Sequence, residues 1–113
     1  MKIIKETLTL KELNEMAAGL FGSLVKAVVD VEKEIVAVDA PLHADLEALL
    51  LQDGSKQKNL WGINFYPEMS GDDFVEFDSM INLRPTENNM SRGVDDPQIR
   101  KRILEVVQKR IRK

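Results

Sequence analysis

A chain of 113 residues falls within the usual length of one domain and can bury roughly two thirds of its unfolded surface around a single core, so one domain over residues 1–113 is expected. With 43% apolar and 31% charged residues it lies outside the disordered class, no apolar run approaches the ~20 residues of a spanning helix, and it contains no cysteine, which suits a reducing cytoplasm and no membrane partner. The net charge of −3 is unevenly spread: residues 98–113 hold seven Lys or Arg against Glu105 alone, a net +6, so residues 1–97 carry −9.

Met1-Lys2-Ile3-Ile4-Lys5-Glu6 becomes charged again too early for a secretory leader. The first predicted helix has a well-specified start. Thr9 is the N-cap, Glu12 completes a capping box three residues on, and Leu10, Leu13, Met16, Ala17 and Leu20 share one face. Gly22 follows its end, where a left-handed residue is easiest for glycine.

From Leu24 the period changes to two: Val25, Ala27, Val29 and Val31 alternate with Lys26, Val28, Asp30 and Glu32. A turn over 32–34 leads into the β-branched run Ile35 to Val38, closed by Pro41, and the pair reads as a hairpin. Residues 42–51 fit both periods. Leu46, Leu49 and Leu50 suit a helix, while Ala44, Leu46, Ala48 and Leu50 alternate with His43, Asp45, Glu47 and Leu49; the Asp53-Gly54 turn signal tips the reading to strand.

Leu60 to Tyr66 alternates large apolar with small or polar residues, and Val75 to Leu83 alternates again before Pro85. Trp61, Phe65 and Phe77 share phase with Ile63, Val75 and Ile81, which makes them core anchors rather than exposed stacking platforms for bases. After a polar loop the last helix opens with Asp96 as N-cap and Pro97 at its first position, and Ile99, Ile103, Val106, Val107 and Ile111 form its apolar stripe. Its cations suit a helix C-terminus, and nucleic acid is the weaker reading because the acidic chain repels phosphate at long range.

These elements assemble as an α+β fold: an antiparallel meander of about five strands with an N-terminal and a C-terminal helix on one face. The other face is then open, displaying His43, Asp45, Glu47, Gly62, Asn64, Tyr66, Glu76, Asp78, Asn82 and Arg84. Carboxylates two apart on a strand point the same way, so Glu76 with Asp78, and Asp45 with Glu47, are candidate ligands for a divalent metal. Such an ion would serve phosphoester hydrolysis, with Arg84 stabilising charge and His43 as a further candidate group. The bland reading is that these are solvent-facing residues of ordinary strands, with His43 in a turn or at the surface. Asn64, Tyr66, Asn82 and Arg92 are candidate ligand-binding groups, Arg92 otherwise pairing with sheet acids or Asp95 to hold its loop down. No phosphate loop, nucleophile elbow or zinc spacing is present.

Leu60-Trp61-Gly62-Ile63-Asn64-Phe65-Tyr66-Pro67, Phe77-Asp78-Ser79-Met80-Ile81-Asn82-Leu83-Arg84-Pro85 and Ser91-Arg92-Gly93-Val94 resemble a family of short prokaryotic proteins of unknown function. The resemblance implies a single-domain prokaryotic protein and carries over no site. With no catalytic motif, the leading expectation is a non-catalytic binding or assembly protein, whose open sheet face or edge strand meets a partner or a second copy of the chain.

Overall fold

The computed structural model describes all residues from Met1 to Lys113. Ten elements follow the chain: β1 (Lys2–Ile4), β2 (Leu8–Thr9), α1 (Leu10–Gly19), β3 (Val25–Asp30), β4 (Ile35–Val38), α2 (His43–Gln52), β5 (Leu60–Phe65), β6 (Val75–Glu76), α3 (Pro97–Arg110) and β7 (Ile111–Arg112). Five strands form one antiparallel sheet in the order β1-β4-β3-β5-β6, and β2 pairs with β7 in a short parallel ribbon.

The helix starts form as their residues dictate. Thr9 Oγ1 accepts from Glu12 N at 3.1 Å while Glu12 Oε1 accepts from Thr9 N at 3.3 Å, completing the capping box. Asp96 caps α3 by accepting from Gln98 N, with Pro97 in the first turn. Leu13, Met16 and Ala17 of α1 and Ile103, Val106 and Val107 of α3 then pack on Val25, Ala27, Val29, Val36, Trp61, Ile63 and Phe65, so both terminal helices cover one sheet face as expected. The β3–β4 turn is set by Asp30, whose Oδ1 accepts from Glu32 N and Lys33 N, both at 2.9 Å.

Residues 42–51 are not a strand but most of α2. Leu46 and Leu50, one helical turn apart, seat on Val28, Ile35, Ala37, Ala40 and Leu60 of the opposite sheet face. The face expected to lie open is therefore largely covered. The deciding signal is the unbroken apolar run Ile35-Val36-Ala37-Val38, all buried, which belongs to a strand with both faces covered. Given that second layer, the i, i+4 leucines outweigh the alternation.

The strand expected over Val75 to Leu83 stops after Glu76. Ser79 caps a 3₁₀ turn over Met80–Asn82, accepting from Ile81 N at 3.3 Å, and the turn rotates Ile81 away from the Phe65 core to the α2 side. Beyond that point side chains do the work of a sixth strand partner. The Asn82 amide accepts from Gly62 N at 2.8 Å and donates to Gly62 O at 2.9 Å, as a neighbouring peptide group would.

Candidate functional site

Between the N-terminus of α2, the outer end of β5 and the segment after β6 lies a cleft of about 480 Å³. It gathers six of the polar residues singled out in the sequence: His43, Asn64, Tyr66, Glu76, Asp78 and Arg92. Asn64 reaches it because β5 alternates, sending Trp61, Ile63 and Phe65 to the opposite core. His43 reaches it because it is the first residue of α2, tilted onto β5.

The cleft wall is a connected network. Glu76 Oε1 accepts from Asn64 Nδ2 at 2.9 Å and from Tyr66 Oη at 3.1 Å, and Asn64 Nδ2 also donates to Asp78 O at 3.2 Å. Arg92 Nε donates to Asp78 Oδ1 at 2.9 Å, the pairing with a sheet-side acid expected of it. Burial and the Glu76 carboxylate beside it both raise the Tyr66 phenol, so it stays protonated and donating.

His43 is 8% exposed, not the turn or surface residue expected, because α2 presses its first turn against the sheet. Its Nε2 lies 2.8 Å from Ile63 O. A carbonyl only accepts, so Nε2 carries the proton and, in the neutral ring, Nδ1 keeps its lone pair. Burial lowers its pKa from the ordinary 6.5; the Ile63 bond and Asp78 oppose the shift, Lys26 adds to it, and the net direction is down. The Asn64 side chain beside the ring favours the cation, yet no donor reaches Asn64 Oδ1 although Asn64 is only 6% exposed.

A pH dependence follows. Between 6.5 and the lower folded pKa the unfolded chain binds a proton that the native imidazole refuses, so stability is lost as pH falls through that window. Urea unfolding from about pH 7.5 to about pH 5.5 should show this decline, and His43→Gln should flatten it. Glu47, whose carboxyl is raised by burial, acts with the opposite sign and is common to both proteins, so the difference isolates His43.

The other candidates lie outside the cleft. Asp45 is exposed on α2. Asn82 spends its amide on Gly62 and on Arg92 O, leaving neither donor free. Arg84 is buried at the same sheet edge, donating to Gln57 O at 2.7 Å and Leu60 O at 2.9 Å with its guanidinium 4.0 Å over the Trp61 ring. Glu47 keeps Oε2 and Arg84 keeps Nε without a partner, each favouring the other's charged form. No three His, Asp or Glu side chains converge on one point suited to a metal ion, and no helix is long and apolar enough to cross a membrane. The basic helix α3 is largely tied into the fold: Lys109 pairs with Glu34 at 2.9 Å, Arg110 donates to Glu34 O, Arg102 pairs with Glu32 and Arg100 donates to Val94 O.

Among the contributors to the cleft that were not singled out in the sequence are Lys26 and the backbone at the start of α2. Lys26 lines it as the one cation of β3, and Leu42 to Ala44 place the start of α2 there. The lone lysine in an apolar strand was legible; the helix start was not, once the segment read as extended.

No curated protein and no solved structure matches the chain. The model of the family described as "Protein of unknown function (DUF5674)" matches residues 2–110, nearly the whole chain, and the protein belongs to that family.

Proposed function

We propose that this protein is a non-catalytic binding module that takes a small polar molecule in the cleft between α2 and β5, in a cytoplasmic setting suited to a chain without cysteine. The observation that carries this reading is the unsatisfied acceptor at Asn64. A buried oxygen without a donor costs about 1–3 kcal/mol. Asn64 Oδ1 has no donor from the protein, and Asn64 lines a cleft large enough for a metabolite-sized ligand.

The residues argue against turnover. The only histidine and the serine lining the cleft do not form a hydrogen-bonded pair: His43 bonds Ile63 O through Nε2, and Ser79 Oγ accepts from Ile81 N. Glu76 and Asp78 are engaged by Asn64, Tyr66 and Arg92, which favours an organic ligand over a metal. The rim supplies apolar contact through the exposed Leu42 and Met80.

The test is a backbone amide-shift screen of small polar fragments, neutral and charged, on the intact chain. Hits should cluster at His43, Ala44, Asn64 and Arg92, and Met80→Trp, which fills the mouth, should abolish them. A second, more apolar cavity is lined by Phe74, Phe77, Leu104 and Val107, and hits confined to it, or none at all, would sink the reading.

A further inference from the structure

The polar wall of the cleft is short of hydrogen atoms. Asn64 Nδ2 directs its two hydrogens to Glu76 Oε1 and Asp78 O, and the Tyr66 hydroxyl also donates to Glu76 Oε1. None remains for Asn64 Oδ1, which has no donor although Asn64 is more than nine-tenths buried. None remains either for Nδ1 of the His43 ring beside it, which in its neutral form keeps its proton on Nε2 against Ile63 O. Turning the amide over gives a hydrogen to His43 Nδ1 but brings Oδ1 up to Glu76 Oε1 and Asp78 O, so the shortage moves without closing.

Charge points the same way. Glu76 belongs to no ion pair, while Asp78 is already held by Arg92. The two cations of the cleft sit out at its rim: Lys26 Nζ lies 5.2 Å from the centroid of the exposed Phe21 ring, and the Arg92 side chain is 56% exposed. The buried part of the wall therefore lacks a donor, and the carboxylate next to it lacks a cation.

We infer that the ligand is a small organic cation bearing N–H donors, an ammonium or an amidinium, which lodges against Asn64, Glu76 and Asp78 and supplies the missing hydrogen. This deepens the reading of the cleft as the binding site and rests on it. Asn64 Oδ1 is closed off from solvent where it stands, so the amide turns over on binding. Its NH2 then donates to His43 Nδ1, and its oxygen joins Glu76 Oε1 and Asp78 O as an acceptor facing the cation. The charge-assisted bond to Glu76 is the strongest of these.

Proton and ligand compete. An imidazolium at His43 donates Nδ1–H to Asn64 Oδ1 in its resting orientation and holds the amide there. Lys26 from β3 opposes that imidazolium and Asp78 supports it; Glu76 beyond Asn64, Arg92 across the cleft and Asp45 on α2 itself complete the surroundings. A bound cation adds to the opposition of Lys26, so by linkage it lowers the His43 pKa, and its own affinity weakens as pH falls through that pKa.

Methylammonium and acetamidinium are suitable probes, each ionised while the imidazole titrates, as lysine and arginine side chains are. Tetramethylammonium, of the same charge but without an N–H, is the control. Titrated into the intact chain, at least one of the two probes should shift the side-chain amide of Asn64 and the backbone amide of His43, and the control should not. Its affinity should weaken as pH falls from about 7.5 to about 5.5, and the His43 pKa, followed by imidazole nitrogen resonances, should drop at saturation. Glu76→Gln should weaken binding about tenfold, and His43→Gln should bind with no pH dependence. A response to methylammonium alone assigns an ammonium, and a response to acetamidinium alone assigns an amidinium or guanidinium. If tetramethylammonium acts equally well, if Glu76→Gln binds unchanged, or if only neutral or anionic fragments occupy the cleft, the cation inference is overturned and the binding reading stands; if nothing occupies it, both fall.

Discussion

Replacing Asn82 by alanine should cost about 3–5 kcal/mol, measured by urea unfolding, from one exchanged amide group. β5 has a strand partner on its outer edge only at Asn64 and Phe65, where β6 pairs with it. Asn82 closes the gap further back by bonding both the N–H and the C=O of Gly62, and its second amide hydrogen holds Arg92 O at 2.9 Å. Alanine leaves a donor and an acceptor of a buried strand residue unpaired at once, each worth about 1–3 kcal/mol. Asn82→Asp should rescue little, because a carboxylate can accept from Gly62 N but meets Gly62 O lone pair to lone pair. Hydrogen exchange provides the local readout: the Gly62 amide should lose protection by more than the global change accounts for. An Asn82→Ala protein of unchanged stability would mean that the edge has another partner.

Gly62→Ala should be comparably damaging for a steric reason. A Cβ built at Gly62 would lie 2.5 Å from Ser79 Cβ and 2.6 Å from Ser79 Oγ, well inside contact distance. Ser79 is itself fully buried and caps the 3₁₀ turn that delivers Asn82, so it cannot swing aside. Overpacking of this kind costs about 1–3 kcal/mol and more where the neighbour is fixed, so about 3 kcal/mol is expected by thermal or urea unfolding. The clash and the lost amide share one mechanism. Gly62→Ala combined with Asn82→Ala should therefore be less destabilising than the two separate effects added, because displacement of the 79–82 segment already breaks the Asn82 bonds. Strict additivity would show that the two residues act independently.

The edge of β5 also shows why the candidate site was only partly legible. His43, Asn64, Tyr66, Glu76 and Asp78 were picked out by polarity and alternation and Arg92 as the cation of a polar loop, and they do line one cleft. Two of the six arrived by a different route from the one the pattern implied. His43 is there as the first residue of a helix, and Asp78 lies past the last strand residue, held by Arg92. Asn82 and Arg84 were read as members of the same face from the same alternation. They turn instead to the sheet edge, because the 3₁₀ turn beginning at Met80 breaks the two-residue period that related them to Glu76.

What the sequence determined by itself is whatever local chemistry decides. The capping box at Thr9 and Glu12, the Asp96-Pro97 start of α3, the β3–β4 hairpin with its Asp30 turn and the apolar stripes of α1 and α3 each depend on residues within one or two turns of each other. From these the α+β class and the packing of both terminal helices on one sheet face follow. Only the tertiary structure decided the state of residues 42–51 and the end of the strand after Glu76. In both places the local pattern admits two periods, and the choice is made by a surface the segment does not contain. For α2 it is the apolar second face of the sheet, Val28, Ala37 and Leu60, which a helix with Leu46 and Leu50 on one side can cover. For the segment after β6 it is the bare peptide edge at Gly62, where the absence of a side chain admits Ser79 and the exposed backbone groups select Asn82. Long-range burial and hydrogen-bond satisfaction outweigh propensities worth only a few tenths of a kcal/mol per residue.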